Sequence, residues 1–279
     1  MPQDDEYLQE LADIYARGLF EVDNFIQDNL AEEGATMIYD AHCHLDLTDN
    51  MSGFIKEMQN SDICLFAVGT NPKAYDREVQ FCRNNPHIKV GLGMHPQLIS
   101  SGYDDMRLFK ALFERGHYIG EVGLDFSKEY IQTKEIQMQA FRDIVKLCEQ
   151  YGEKVVSVHS LKSVNTVIEI LREYKTQRSN KYIFHWFTGS IPQLGKVIEL
   201  GCYFSINPRM LKTKSGIKVV KTVPISRMLL ETDIPFTFTV HYINEIEKEL
   251  KRTVTMISDI VGFDMTDIIY KNSKEVFRY

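Results

Sequence analysis

The sequence lacks long apolar runs: nowhere do its 279 residues approach the roughly 18 consecutive apolar positions that a membrane-crossing helix needs. It also lacks a C-x-x-C pair. Its five cysteines (Cys43, Cys64, Cys82, Cys148 and Cys202) are an odd number, which excludes a fully paired disulfide framework and points to free thiols in a reducing, cytoplasmic setting. A basic, apolar leader is missing too, so no secretory signal is expected. There are no repeats, no low-complexity tracts and no linker that would divide the body. Basic charge is scarce at one end only. Residues 1–36 hold ten acids against the single base Arg17, a net of −9, so residues 37–279 come to +2 within a whole-chain charge of −7. The body is therefore compatible with a polyanionic ligand although the chain as a whole is acidic.

What is present is an ordinary globular composition, 44% hydrophobic and 25% charged. The chain is long enough for one α/β barrel of about 250 residues. Before Met37, Leu8, Leu11, Tyr15, Leu19, Val22, Ile26 and Leu30 recur at three- and four-residue spacing, with Gly34 as a stop. That pattern predicts a helical extension over residues 1–36, which either packs on the body or docks a protein partner. From Met37 onward strand and helix signals alternate. Strands are expected at Met37–Leu45, Asp62–Val68, Ile88–Met94, Tyr118–Leu124, Lys154–Val158, Tyr182–Phe187, Tyr203–Ile206 and Met228–Glu231. Helices are expected between them, for example over Pro72–Asn84, Thr133–Tyr151, Ser163–Tyr174 and Pro192–Leu200. Many of the strands are unbroken apolar runs, as burial on both faces requires. Eight such units predict a (β/α)8 TIM-type barrel over residues 37–279. An open doubly wound sheet is the competitor, but no G-x-G-x-x-G follows the first strand.

In such barrels chemistry gathers at the C-terminal ends of the strands. The first strand leads into Asp40-Ala41-His42-Cys43-His44-Leu45-Asp46, and in an extended chain His42 and His44 share a face while Cys43 points away. The other ends supply His95, Glu121, His159, His185 and the run Glu231-Thr232-Asp233. Each has a plainer explanation alone: a lone histidine can be a satisfied core residue, and Asp233 can start a turn. Glu121 is harder to dismiss, because an acid inside an apolar strand is costly unless paired or metal-bound. Five of the eight histidines fall at these ends. Four imidazoles and two carboxylates meeting at one barrel mouth are the inventory of a two-metal hydrolase.

The ordered motifs Asp40-Ala41-His42-Cys43-His44-Leu45-Asp46, Gly93-Met94-His95-Pro96, Gly120-Glu121-Val122-Gly123-Leu124-Asp125, His185-Trp186-Phe187-Thr188-Gly189-Ser190 and Leu230-Glu231-Thr232-Asp233-Ile234-Pro235 resemble those of the TatD-like metal-dependent deoxyribonucleases, which are amidohydrolase-type barrels. The resemblance runs from residue 37 to the C-terminus. It implies that His42, His44 and Asp233 hold one divalent ion, that Glu121 bridges, and that His159 and His185 hold the second. It further implies DNA as substrate, Asp233 as general base, and His95 beside the scissile phosphate. Imidazole-rich ligation favours zinc or manganese, whereas the family is commonly treated as magnesium-dependent.

Two departures stand out. Many family members carry His-Ser-Arg where this chain has His159-Ser160-Leu161, followed by Lys162, so a bidentate phosphate fork gives way to a point charge. The acidic extension is the second. Together with Gly201-Cys202-Tyr203-Phe204-Ser205-Ile206-Asn207-Pro208 it resembles the TatD-like subunits of Qat-type anti-phage systems. Two rival readings stand beside the nuclease. One is another two-metal phosphoesterase or lactonase, although lactonases of this superfamily commonly bridge their metals with a carboxylated lysine where this chain offers Glu121. The other is a barrel that serves mainly as a partner-binding scaffold.

Overall fold

The computed structural model describes residues 37–99, 103–174 and 180–277. The expected helical extension 1–36 lies outside the described residues. The described residues form eight strands: β1 (Ile38–Cys43), β2 (Ile63–Ala67), β3 (Ile88–Val90), β4 (Tyr118–Gly123), β5 (Val155–His159), β6 (Lys181–His185), β7 (Tyr203–Ile206) and β8 (Met228–Leu230). Among the described residues the α-helices are α1 (Met51–Glu57), α2 (Tyr75–Cys82), α3 (Tyr103–Leu112), α4 (Lys134–Tyr151), α5 (Val164–Tyr174), α6 (Ile191–Glu199), α7 (Lys214–Thr222), α8 (Ile243–Val261) and α9 (Thr266–Phe277). None of these helices is long and apolar enough to cross a membrane.

Every strand pair is parallel, with β1–β3 and β4–β8 forming two consecutive ladders. The ladders join where Leu92 bridges Ile119, with the Leu92 amide donating to the Tyr118 carbonyl at 2.9 Å. They close again between β1 and β8, where the amides of Asp233 and His44 donate to the carbonyls of His42 and Ile234, each at 2.9 Å. Asp40 locks that seam. Its Oδ1 accepts from the amides of Thr232 (3.0 Å) and His42 (3.1 Å), and its Oδ2 accepts from the Thr232 hydroxyl. The expected (β/α)8 barrel is what the chain forms.

Alternation along the strands sorts two buried layers. Tyr39, Ala41, Phe66, Val155, Ile183, Tyr203 and Leu229 fill the barrel interior, while Leu65, Ala67, Val156, Val158, Phe184 and Phe204 pack under the helices. The end of α9 closes the floor. The Phe277 ring stacks on Tyr39 and Tyr118, both at 6.2 Å, and meets Phe66 edge-on at 5.8 Å, and the Tyr118 hydroxyl donates to the Phe277 carbonyl at 2.8 Å. A stop-and-start before α6 is written in its sequence: Ser190 caps the helix, Gln193 returns the bond, and Pro192 occupies the first turn.

Most strand ends fall within a residue or two of the sequence reading, and two differ instructively. β3 stops at Val90 instead of running to Met94. Gly91 and Gly93 pass so close to neighbouring backbone that a Cβ at Gly93 would overlap the Gly69 carbonyl. The chain there leaves the ladder, and Gly69, two residues past the end of β2, meets β4 directly, with Glu121 N donating to Gly69 O at 2.7 Å. β1 ends at Cys43 with a register shift between Asp40 and Cys43, so His44 stands beyond the strand.

Candidate metal centre

The strand ends deliver all the histidines and acids singled out from the sequence to one place, with Glu121 at its middle. Although His44 has left the strand, its Nε2 lies 3.2 Å from that of His42. Glu121 Oε2 faces this first pair, 3.2 Å from His44 Nε2 and 3.5 Å from His42 Nε2. Its other oxygen, Oε1, faces a second pair, 2.6 Å from His159 Nδ1 and 2.9 Å from His185 Nε2. Asp233 Oδ1 lies 3.6 Å and 3.7 Å from the Nε2 atoms of His42 and His44. His95 Nε2 is 3.2 Å from Glu121 Oε2. Among the described residues, His87, His117 and His241 belong to no such donor group.

Local backbone makes the convergence happen. Gly123 (φ 137°) ends β4 so close to β5 that a Cβ would overlap the His159 carbonyl, and this draws Glu121 and His159 together. Asp233 (φ 52°) and Trp186 (φ 38°) occupy the left-handed region as non-glycine residues, a conformation costing on the order of 1 kcal/mol each. Hydrogen bonds hold both: Asp233 N donates to His42 O at 2.9 Å, and Trp186 N donates to Glu231 Oε1 at 3.0 Å.

Outer partners fix which ring nitrogens are free. Ser157 Oγ lies 2.7 Å from His42 Nδ1, which presents Nε2 to the centre. Asp125 Oδ2 lies 3.2 Å from His159 Nε2 and is itself held by Gln97 Nε2 at 2.7 Å, so His159 turns Nδ1 inward. The amide of Gln97 donates to His95 Nδ1 at 3.2 Å, which places the proton of His95 on Nε2. Ser157 and Gln97 escaped the sequence reading, and Asp125 was quoted there only as part of a motif. The signal for Ser157 was a polar residue inside the apolar run Val155-Val156-Ser157-Val158.

The donor set fits divalent cations. Asp233 Oδ1, His44 Nδ1 and His185 Nδ1 are buried without a hydrogen-bond partner among the described residues. An unmatched buried polar atom costs about 1–3 kcal/mol, which a bound cation would remove for the carboxylate. The 3.2 Å between the Nε2 atoms of His42 and His44 matches the ligand–ligand edge, about 2.9–3.4 Å, that bonds of about 2.0–2.1 Å from nitrogen to metal produce. Three overlapping groups have donor spacing: His42 with His44 and Glu121, His42 with His185 and Asp233, and His95 with Glu121 and His159. The last sets His95 beside Glu121, where its Nε2–H faces the carboxylate as a donor.

The electrostatics agree with a cation-seeking site. Burial pushes the Asp233 carboxyl up to about 8, helped by the negative charge of Glu121. Burial works the same way on Glu121, but the ring of imidazoles overcomes it and holds that carboxylate well below the usual range. His159 rises to about 9 against the effect of burial, because Glu121 and Asp125 face its two nitrogens. Over the centre lies a cavity of about 350 Å³ walled on its outer side by Leu161, Trp186, Thr188 and Phe236. Leu161, two residues past His159, lines this cavity, and the exposed Lys162 follows it in left-handed backbone (φ 54°).

Comparison with known proteins accounts for this constellation. Residues 39–278 match the family model described as TatD related DNase. The chain is 33% identical over 185 residues to the deoxyribonuclease Tat-D of Schizosaccharomyces pombe, covering 62% of this chain and 59% of that protein. It is 26% identical over 251 residues to human deoxyribonuclease TATDN3, covering 83% of this chain and 90% of that one. The fold is similar to the crystal structure of YJJV, a TatD homolog from Escherichia coli, with a TM-score of 0.76 at 20% identity over 88% of this chain and 99% of the other. With barrel, motifs and donor geometry in agreement, this chain belongs to the TatD-related DNase family of metal-dependent hydrolases.

Proposed function

We propose that this protein hydrolyses phosphodiester bonds in DNA, using two divalent cations held by His42, His44, Glu121, His159, His185 and Asp233. The observation that carries the reading is the division of labour on Glu121, whose two oxygens face two different histidine pairs. A bridging carboxylate needs that arrangement. Magnesium, manganese or zinc bound there would supply Lewis-acid charge for the phosphoryl oxygens and acidify water at the site.

The remaining steps fall to the chain's own groups. Asp233, whose Oδ1 would be taken up by a cation, accepts the proton of the attacking water as general base through its carboxylate. His95, with its proton on Nε2, donates to a phosphoryl oxygen as charge builds there. Ser157 and Asp125 keep His42 and His159 from rotating out of place. The apolar walls Leu161, Trp186 and Phe236 limit the entry of bulk water. Five buried thiols without a disulfide support a reducing compartment. Membership of an anti-phage assembly, through a partner contact of residues 1–36, is the narrower part of the proposal and rests on that acidic segment and residues 201–208.

A carboxylate at the strand-four position argues against a lactonase built on carboxylated lysine. A complete donor set argues against a barrel kept only as a scaffold. The test is cleavage of labelled DNA by purified Glu121→Ala and Asp233→Ala variants. Each is expected to lose at least about 100-fold in metal-dependent rate, the scale of losing a group that acts only in the transition state, while its melting temperature stays near that of the parent. Undiminished cleavage in either variant overturns the mechanism.

A further inference from the structure

The molecule has a second hollow, of about 300 Å³, beside the start of β1 and between α8 and α9. Met37, Ile38, Val254, Ile269 and Tyr270 supply apolar wall, and Lys251 stands on the rim. A second ammonium, that of Lys274, lies 5.8 Å from the centroid of the Tyr270 ring. None of these residues belongs to the metal centre, so what is inferred from the hollow is independent of the hydrolytic reading.

We propose that this hollow is the docking site of residues 1–36 of the same chain, with the end of their apolar stripe, around Val22, Ile26 and Leu30, laid against Val254, Ile269 and Tyr270. Three observations choose this occupant. Residue 36 is bonded directly to Met37, which is itself part of the wall. A segment tethered there has an effective concentration in the millimolar range and incurs no cost of bringing two molecules together. The chemistry also matches, because an apolar stripe at three- and four-residue spacing meets an apolar wall, and burying each large aliphatic side chain is worth about 1.5–3 kcal/mol. Charge matches as well. The segment carries a net −9, with Asp23, Asp28, Glu32 and Glu33 flanking the end of the stripe; Lys251 lines the hollow and Lys274 lies beside its Tyr270 wall. Glu247 shares Lys251 from the preceding helical turn, and an ammonium has donors enough for both.

The test is zero-length carbodiimide coupling of the full-length protein, read by mass spectrometry on an equal mixture of 14N- and 15N-labelled chains. The expected products join Lys251 or Lys274 to an acid between Asp23 and Glu33 within chains of a single isotope. Thr255→Trp, which adds bulk on the exposed edge of the hollow, should lower their yield at least three-fold. Ile26→Asp, which interrupts the apolar stripe with a charge, should do the same. Absence of these products in the parent protein overturns the proposal, as does a yield unchanged by both substitutions. A predominance of mixed-isotope products overturns it in favour of a second copy as the occupant.

Discussion

Ser157 and Asp125 each hold an imidazole by the nitrogen that faces away from Glu121, and so decide which lone pair the centre receives. Removing such an outer partner typically weakens metal affinity about 10–100-fold. Ser157→Ala is therefore expected to lower cation affinity at least about ten-fold, measured by competition with a coloured chelator; an unchanged affinity would show that His42 needs no support from that hydroxyl. Glu78, on α2, is a second residue whose surroundings have a measurable consequence. It is 3% exposed, and its Oε1 has no hydrogen-bond partner among the described residues. Burial, with the negative charge of Asp46 adding to it, raises this carboxyl from 4.5 to about 8. Between about pH 5 and pH 8 the folded state therefore keeps a proton that the unfolded chain has already released, and stability falls as pH rises through that window. Glu78→Gln removes the ionisation, so its stability relative to the parent should grow by about 2–4 kcal/mol from pH 5 to pH 8 in urea titrations. A difference that is flat with pH would contradict the assignment.

At the scale of elements, the strands with unbroken apolar runs were readable because parallel barrel strands are buried on both faces, and the histidines at their ends were readable because function sits there. What the sequence left hidden was long-range. Ser157 becomes a support for His42 only once β5 lies across the barrel from the end of β1, a pairing 115 residues apart in sequence. That His95 also stands 3.2 Å from Glu121 shows only once the segment after β3 lies beside β4. The early end of β3 was equally hidden, since glycine signals close approach without saying to what. Gly93 supplies the test. A methyl group there would overlap the Gly69 carbonyl, so Gly93→Ala is expected to cost about 2–4 kcal/mol, at the upper end of the range for single substitutions, and to lower DNA cleavage by displacing His95. An unchanged urea midpoint would mean that β2 and β3 can separate without loss.

For the whole molecule, the barrel places its two ends in different roles. The floor is an aromatic plug led by Phe277, while the mouth gathers the imidazoles and acids, where Asp233 Oδ1, His44 Nδ1 and His185 Nδ1 have no hydrogen-bond partner among the described residues. The charge is divided in a similar way, with the acidic balance concentrated in residues 1–36 and the barrel itself at +2, which leaves the body free to approach a polyanion. The account stands or falls on cations at the mouth. The most direct measurement is cleavage of labelled DNA by metal-stripped protein titrated separately with magnesium, manganese or zinc, with bound metal counted in the same samples. The account predicts no cleavage before metal is added, recovery with at least one of the three ions that saturates at two per chain, and no recovery in Glu121→Ala. Cleavage by the stripped protein, or none with any of the three ions, would contradict it.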